Sequence, residues 1–167
     1  MIKFRAIKPP KLNIPAIMEE VFDEADSLAN DVLLEYELTT ATWKHQPKFL
    51  KVLTFEGGVT IAVFTDDKIY GYVTRGTDGP YPIVPKKPGG VLAFREGYSA
   101  KTTPGMLGSQ AGGPSGNMAF ARGVMHPGIK ARNFDKLILD EWKPEITRRL
   151  KNAITRGARK SGFWYKG

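Results

Sequence analysis

Apolar residues recur at three- to four-residue spacing near the start of the chain: Ile17, Val21, Phe22, Ala25, Leu28, Ala29, Val32 and Tyr36, with acids largely on the positions between. That period gathers them into one stripe of an amphipathic helix, which commits the segment to packing against something else. Pro15 suits the first helical turn, where a missing N–H is no loss. A second stripe closes the chain, formed by Phe134, Leu137, Ile138, Trp142, Ile146, Leu150 and Ile154, with Asn133 placed to cap it. Pro144 inside that stripe predicts a kink or restart, and Gly157 predicts its end. Two long helices therefore bracket the middle of the chain.

The middle reads as strands and turns. FLKVLTFEGGVTIAVF, residues 49–64, is two β-rich runs split by Gly57-Gly58, and glycine supplies the positive φ that a tight hairpin turn needs. Asp66-Asp67 marks a turn. The glycines and prolines that follow predict a short irregular segment and then extended chain. Residues 91–95 and 118–122 are strand candidates that can pair. Between them, residues 97–117 hold mostly Gly, Ser, Thr and Pro, too little apolar surface to order a segment on its own. This predicts a protruding Gly-rich loop that orders against a neighbouring subunit, with Met106 and Leu107 as its apolar contacts. The expected fold is a single α+β domain over 1–167, a small, mainly antiparallel sheet packed by the N-terminal and C-terminal helices. Residues 1–13 form an extension and 158–167 a basic, aromatic tail.

Chemistry-bearing motifs are few. With no cysteine, disulfides, thiolate metal sites and thiol nucleophiles are excluded, and two histidines cannot make a histidine-rich metal site alone. The glycines match neither the phosphate loop nor the dinucleotide fingerprint, and GPSGN ends in Asn117 where a nucleophile elbow needs glycine. A hydrolase or nuclease would rest on Asp66, Asp67 and His126 alone. His126-Pro127-Gly128 reads more simply as a sharp turn feeding the last helix, because a fixed φ is followed by a permissive residue. No catalytic residue, metal or cofactor is expected. No apolar run approaches membrane-spanning length, and MIKFRAIKPPKLN lacks the apolar stretch of a secretion signal, so neither membrane nor export is expected.

Charge says more by its placement than by the net +8. Glu19, Glu20, Asp23, Glu24, Asp26, Asp31, Glu35 and Glu37 put eight of the seventeen acids on the first helix. Residues 143–167 oppose one acid, Glu145, to many bases. Arg148, Arg149, Lys151, Arg156, Arg159 and Lys160 are thus candidates for contact with passing DNA or with an acidic partner, and otherwise form a solvated helix face. The acidic face of the first helix either solubilises the chain or complements the basic region of a neighbouring subunit. Phe163, Trp164 and Tyr165 could stack on nucleic-acid bases, but three adjacent rings favour an interface anchor.

The succession TDDKIYGYVTRGTDGPYPIVPKK, VLAFREGYSAKTTPG and MAFARGVMHPGIKARNF before a terminal helix resembles the tail-component or tail completion family of long-tailed bacteriophages. The likeness spans residues 60–156 and is most specific at Gly76-Thr77, at Pro85-Lys86-Lys87, and at His126-Pro127-Gly128 with Ala131-Arg132 and Phe134. It implies a structural virion protein of the phage neck, assembled in the host cytoplasm, that forms a homo-oligomeric and most simply hexameric ring at the head-proximal end of the tail. Such a ring would meet other neck and tail proteins and touch passing DNA without reading its sequence. A tail terminator or head-closure ring, or a non-specific DNA-binding module, is the alternative.

Overall fold

The computed structural model describes residues 11–162. In chain order it holds α1 (Ile14–Thr40), β1 (Leu50–Thr54), β2 (Thr60–Phe64), α2 (Lys68–Arg75), β3 (Tyr81–Ile83), β4 (Leu92–Ser99), β5 (Gly113–Ala121), β6 (Val124–His126) and α3 (Phe134–Lys160). The class is α+β, with a long helix towards each end as the two apolar stripes predict. The strands form three separate pairs, β1 with β2, β3 with β6 and β4 with β5. The chain divides into two compact units. One takes the residues up to Asp31, Lys51–Ala62 and those from Glu141 on, and the other takes Val32–Leu50 and Val63–Asp140.

In the first unit, the early turns of α1 run antiparallel to the later turns of α3. Val21, Ala25, Leu28 and Ala29 are buried along α1, and Ala153 along α3. Asn13 caps α1, accepting from the Ala16 N–H through its side chain. The hairpin segment lies on α1 through the edge-on rings of Phe22 and Phe55, 4.2 Å apart, and through Lys51 paired with Asp26 at 2.6 Å. Gly157 does not end α3. It sits inside the helix where a Cβ would lie 2.5 Å from Ile17 Cα, so the absent side chain lets two backbones touch. The helix ends instead at Gly162, whose φ of +78° suits the left-handed stop. Pro144 neither ends nor restarts α3.

The second unit is built on Phe49, Tyr70 and Phe134, with Leu33, Tyr36, Trp43, Val63, Val73 and Leu107 packed around them. The rings of Phe49 and Tyr70 meet edge-on at 5.1 Å, and the Tyr70 and Phe134 centroids are 6.0 Å apart. Fully burying a side chain such as Phe134 contributes about 1.5–3 kcal/mol. Tyr70 sits on α2, a helix that the glycine- and proline-punctuated sequence does not predict. Asp67 initiates it by accepting from the Tyr70 N–H at 2.7 Å. Thr74, on the same helix and buried, caps α3 from outside: its Oγ1 accepts from the Phe134 N–H at 3.0 Å. Asn133, expected as the cap, lies just before α3 with φ +57°, and its carbonyl accepts from the Leu137 N–H.

The expected 97–117 loop is shorter and better held than its composition suggests. Ser99 pairs with Gly113 and Gly97 with Ser115, so the connection between β4 and β5 is residues 100–112. Thr42 ties it to the end of α1, with its N–H donating to Ser109 Oγ and its hydroxyl to the Gln110 carbonyl. Thr102 is buried, and Leu107 packs on the aromatic cluster. These contacts tie the loop to its own chain, while Met106 stays exposed.

Candidate functional site

Helix α3 carries the six bases proposed for DNA or an acidic partner, and the acids of α1 meet three of them. Arg149 donates from Nε to Glu24 at 2.6 Å, from Nη1 to Asp31 at 2.6 Å and from Nη2 to Ser27 at 3.0 Å. Arg156 reaches Glu20 at 2.9 Å and Glu24 at 2.6 Å, and Lys160 pairs with Glu20. Arg148 pairs with Glu145 one turn away on α3. The carboxylates feel it. Hydrogen bonds from Lys160 and Arg156 hold Glu20 below the ordinary glutamate value. Burial opposes the charge on Glu24, and hydrogen bonds from Arg156 and Arg149 outweigh it, leaving that carboxyl low as well. The acidic complement of Arg149, Arg156 and Lys160 is therefore in the same chain, and each of the three already holds a carboxylate. Lys151 and Arg159 are exposed and make no ion pair among the described residues.

Gly76-Thr77 and the His126-Pro127-Gly128 turn, far apart in the chain, lie against each other. Thr77 and Ile129 exchange backbone bonds, and the Thr77 hydroxyl also accepts from the Ile129 N–H at 2.9 Å. Cβ atoms added to this seam would lie 2.7 Å from the Ile129 carbonyl at Gly76, 2.3 Å from the Pro127 carbonyl at Gly79 and 2.6 Å from the Thr77 carbonyl at Gly128. Gly76 and Gly128 also have φ of +80° and +88°, so these positions are shaped by packing and by backbone together. His126 ends β6, with its ring stacked on Tyr81 at 4.9 Å and its Nδ1 accepting from the Gly128 N–H. Both partners give His126 a structural place. Lys86 and Lys87 lie in the turn between β3 and β4, where the Lys87 carbonyl accepts from the Gly90 N–H.

Asp67 and His126 take separate hydrogen-bond partners. Asp67 caps α2 and pairs with His45. Burial works against its charge, and bonds from the Tyr70 N–H and His45 more than offset this, so its carboxyl lies below the usual range. Among the described residues no group of three or more His, Asp or Glu is placed to hold a metal ion. Tyr70 donates to Asp135 at 2.7 Å, and burial with that carboxylate raises its phenol; the same two causes push Tyr36 up to about 12.

The cleft that emerges lies within the second unit, with a volume of 760 Å³. Trp43, Ile69, Val73, Tyr98, Pro114 and Pro127 give it an apolar lining, while Lys44, Lys101, Lys130 and Arg132 bring four positive charges, and no carboxylate lines it. Both histidines of the chain, His45 and His126, also line it. Sequence reading missed this site because its bases come from three segments far apart in the chain, around residues 44, 101 and 130–132.

A different surface belongs to the β4–β5 ribbon. Ala93 pairs with Phe120 and Arg95 with Met118, so these four residues share one face. Phe120 is 68% and Met118 50% exposed, and Tyr98, near the other end of β4, is 70% exposed. Met106 is exposed on the adjoining loop. Phe163, Trp164 and Tyr165, the expected anchors, lie outside the described residues. No helix among the described residues is long and apolar enough to cross a membrane. Comparison with family models, curated proteins and solved structures gives no match.

Proposed function

We propose that this chain is a structural assembly protein of the phage neck or tail, a tail completion protein that forms a ring at the head-proximal end of the tail and joins head to tail. The observation that carries the assembly role is the β4–β5 ribbon. Among the described residues it is a two-stranded sheet with no third strand, and large apolar side chains stand exposed on it. A two-stranded ribbon leaves backbone donors and acceptors along its outer edges, and an apolar face beside them is surface that association can bury. Repeating such a contact around an axis closes a ring. The viral setting rests on the sequence resemblance, two of whose three most specific segments, at Gly76-Thr77 and at His126-Pro127-Gly128, lie together in the seam.

The test has two parts. Mass measurement in solution should find a cyclic oligomer, most simply a hexamer, and Phe120→Asp should return it to the protomer without lowering the protomer's melting temperature. The protein should also be recovered from purified phage particles. Its absence from particles would overturn the viral reading, and an oligomer indifferent to Phe120→Asp would overturn the ribbon as the assembling surface.

A further inference from the structure

We infer that the cleft of the second unit is a docking site for an acidic, extended peptide segment of a partner protein, one that carries an aliphatic side chain between carboxylates. Charge is the first reason. The main bases of α3 already hold carboxylates, whereas among the described residues no carboxylate pairs with Lys44, Lys101, Lys130 or Arg132. Two of these bases are held in place by neutral partners. Arg132 donates from Nε to Thr102 Oγ1 and from Nη1 to the Lys130 carbonyl, and Lys101 donates to the Thr42 carbonyl. A guanidinium fixed in this way is preorganised for a carboxylate, so little side-chain entropy is lost on binding.

The lining is the second reason. Ile69 and Val73 are one helical turn apart on α2, and with the prolines they make a floor that matches an aliphatic side chain. The volume is in the range of pockets that enclose a ligand of several side chains, about 300–1,000 Å³. Single-stranded nucleic acid would bring the same negative charge, but it binds by stacking successive bases on exposed aromatic faces. Trp43 is packed against Tyr70 and Phe134, which leaves Tyr98 and the smaller imidazole of His45 as exposed rings of the lining, short of a run of stacking platforms. A duplex is convex and does not enter a concavity of this kind. The site shares Tyr98, Gly113 and Pro114 with the ribbon but not Met118 or Phe120, it does not depend on the viral setting, and the experiment uses the isolated full chain.

Fluorescence anisotropy would follow a fluorescein-labelled decapeptide of glutamate and aspartate with two central leucines. The controls are the same peptide with serine for leucine, oligothymidylate and duplex DNA. The expected result is saturable, salt-sensitive binding of the leucine peptide, weakened ~10- to 100-fold by Lys44→Glu combined with Lys130→Glu. Both side chains are exposed, so circular dichroism should show the variant folded. The serine peptide should bind several-fold more weakly to the native chain and equally to a Val73→Ser variant. Binding unchanged by the charge reversals, or equal for the two peptides on the native chain, overturns the proposal. So does oligothymidylate that binds more tightly and displaces the peptide, or self-association that the charge reversals abolish, which would make the occupant a second copy.

Discussion

Gly157→Ala tests the packing of the first unit by the sign of its effect. Inside an exposed helix, exchanging glycine for alanine gains about 1 kcal/mol of propensity. Here the new Cβ would stand 2.5 Å from Ile17 Cα and 3.1 Å from the Ala16 carbonyl oxygen, both backbone atoms that no rotamer change can move. Carbon atoms settle at roughly 3.5–4.0 Å, so the helices must part by about 1 Å. Overpacking of this kind costs about 1–3 kcal/mol. The separation also stretches the neighbouring bonds from Arg156 to Glu20 and Glu24, now 2.9 and 2.6 Å, beyond good geometry. Set against the propensity gain, the net loss should reach up to about 2 kcal/mol. Urea denaturation followed by far-ultraviolet circular dichroism would measure it, with Asn152→Ala, at an exposed position of the same helix, as the control. A variant stabilised by about 1 kcal/mol would show the glycine to be an ordinary exposed helix position and would refute the close approach.

Two further outcomes follow from the ion pairs and from the cap. Glu20 and Glu24 have carboxyl groups held below their ordinary 4.5, so their ion pairs contribute stability that is complete above about pH 4.5 and is lost as pH falls through the depressed values; melting temperature against pH should decline in that acid range, and Glu24→Gln should flatten the decline. Thr74→Val leaves the buried Phe134 N–H without its acceptor and should destabilise the chain by about 1–3 kcal/mol, with Thr74→Ser recovering most of the loss; equal stability of the Val and Ser variants would show that the hydroxyl does not cap α3.

The long helices were legible because burial imposes a period on the sequence, and Val21, Ala25, Leu28, Phe134 and Ile138 repeat it. The hairpin was legible because Gly57 and Gly58 mark its turn, and both have positive φ. Helix α2 was not. KIYGYVTR is short, rich in β-formers and interrupted by Gly71, so its local preference opposes the helix, and a cap at Asp67 with burial of Tyr70 and Thr74 decides against that preference. Gly157 misled for a related reason: a glycine that ends a helix and a glycine that lets two helices touch are the same letter. In the 100–112 loop, one buried threonine, one packed leucine and bonds to the end of α1 achieve what composition alone could not foretell.

Charge shows most plainly what a linear reading misses. A run of bases on α3 looks like a surface for polyanions because sequence counts charges and says nothing of their partners. Once Glu20, Glu24 and Asp31 are seen to hold Arg149, Arg156 and Lys160, much of that surface is neutralised from within. The excess that makes the chain +8 has then to be sought elsewhere. Part of it gathers at Lys44, Lys101, Lys130 and Arg132, which the fold collects from the end of α1, the β4–β5 connection and the approach to α3. Unpaired charge attracts a ligand more strongly than charge already satisfied, because no existing ion pair has to be broken before binding. The proposed cleft thus offers an anion four bases that no carboxylate holds among the described residues.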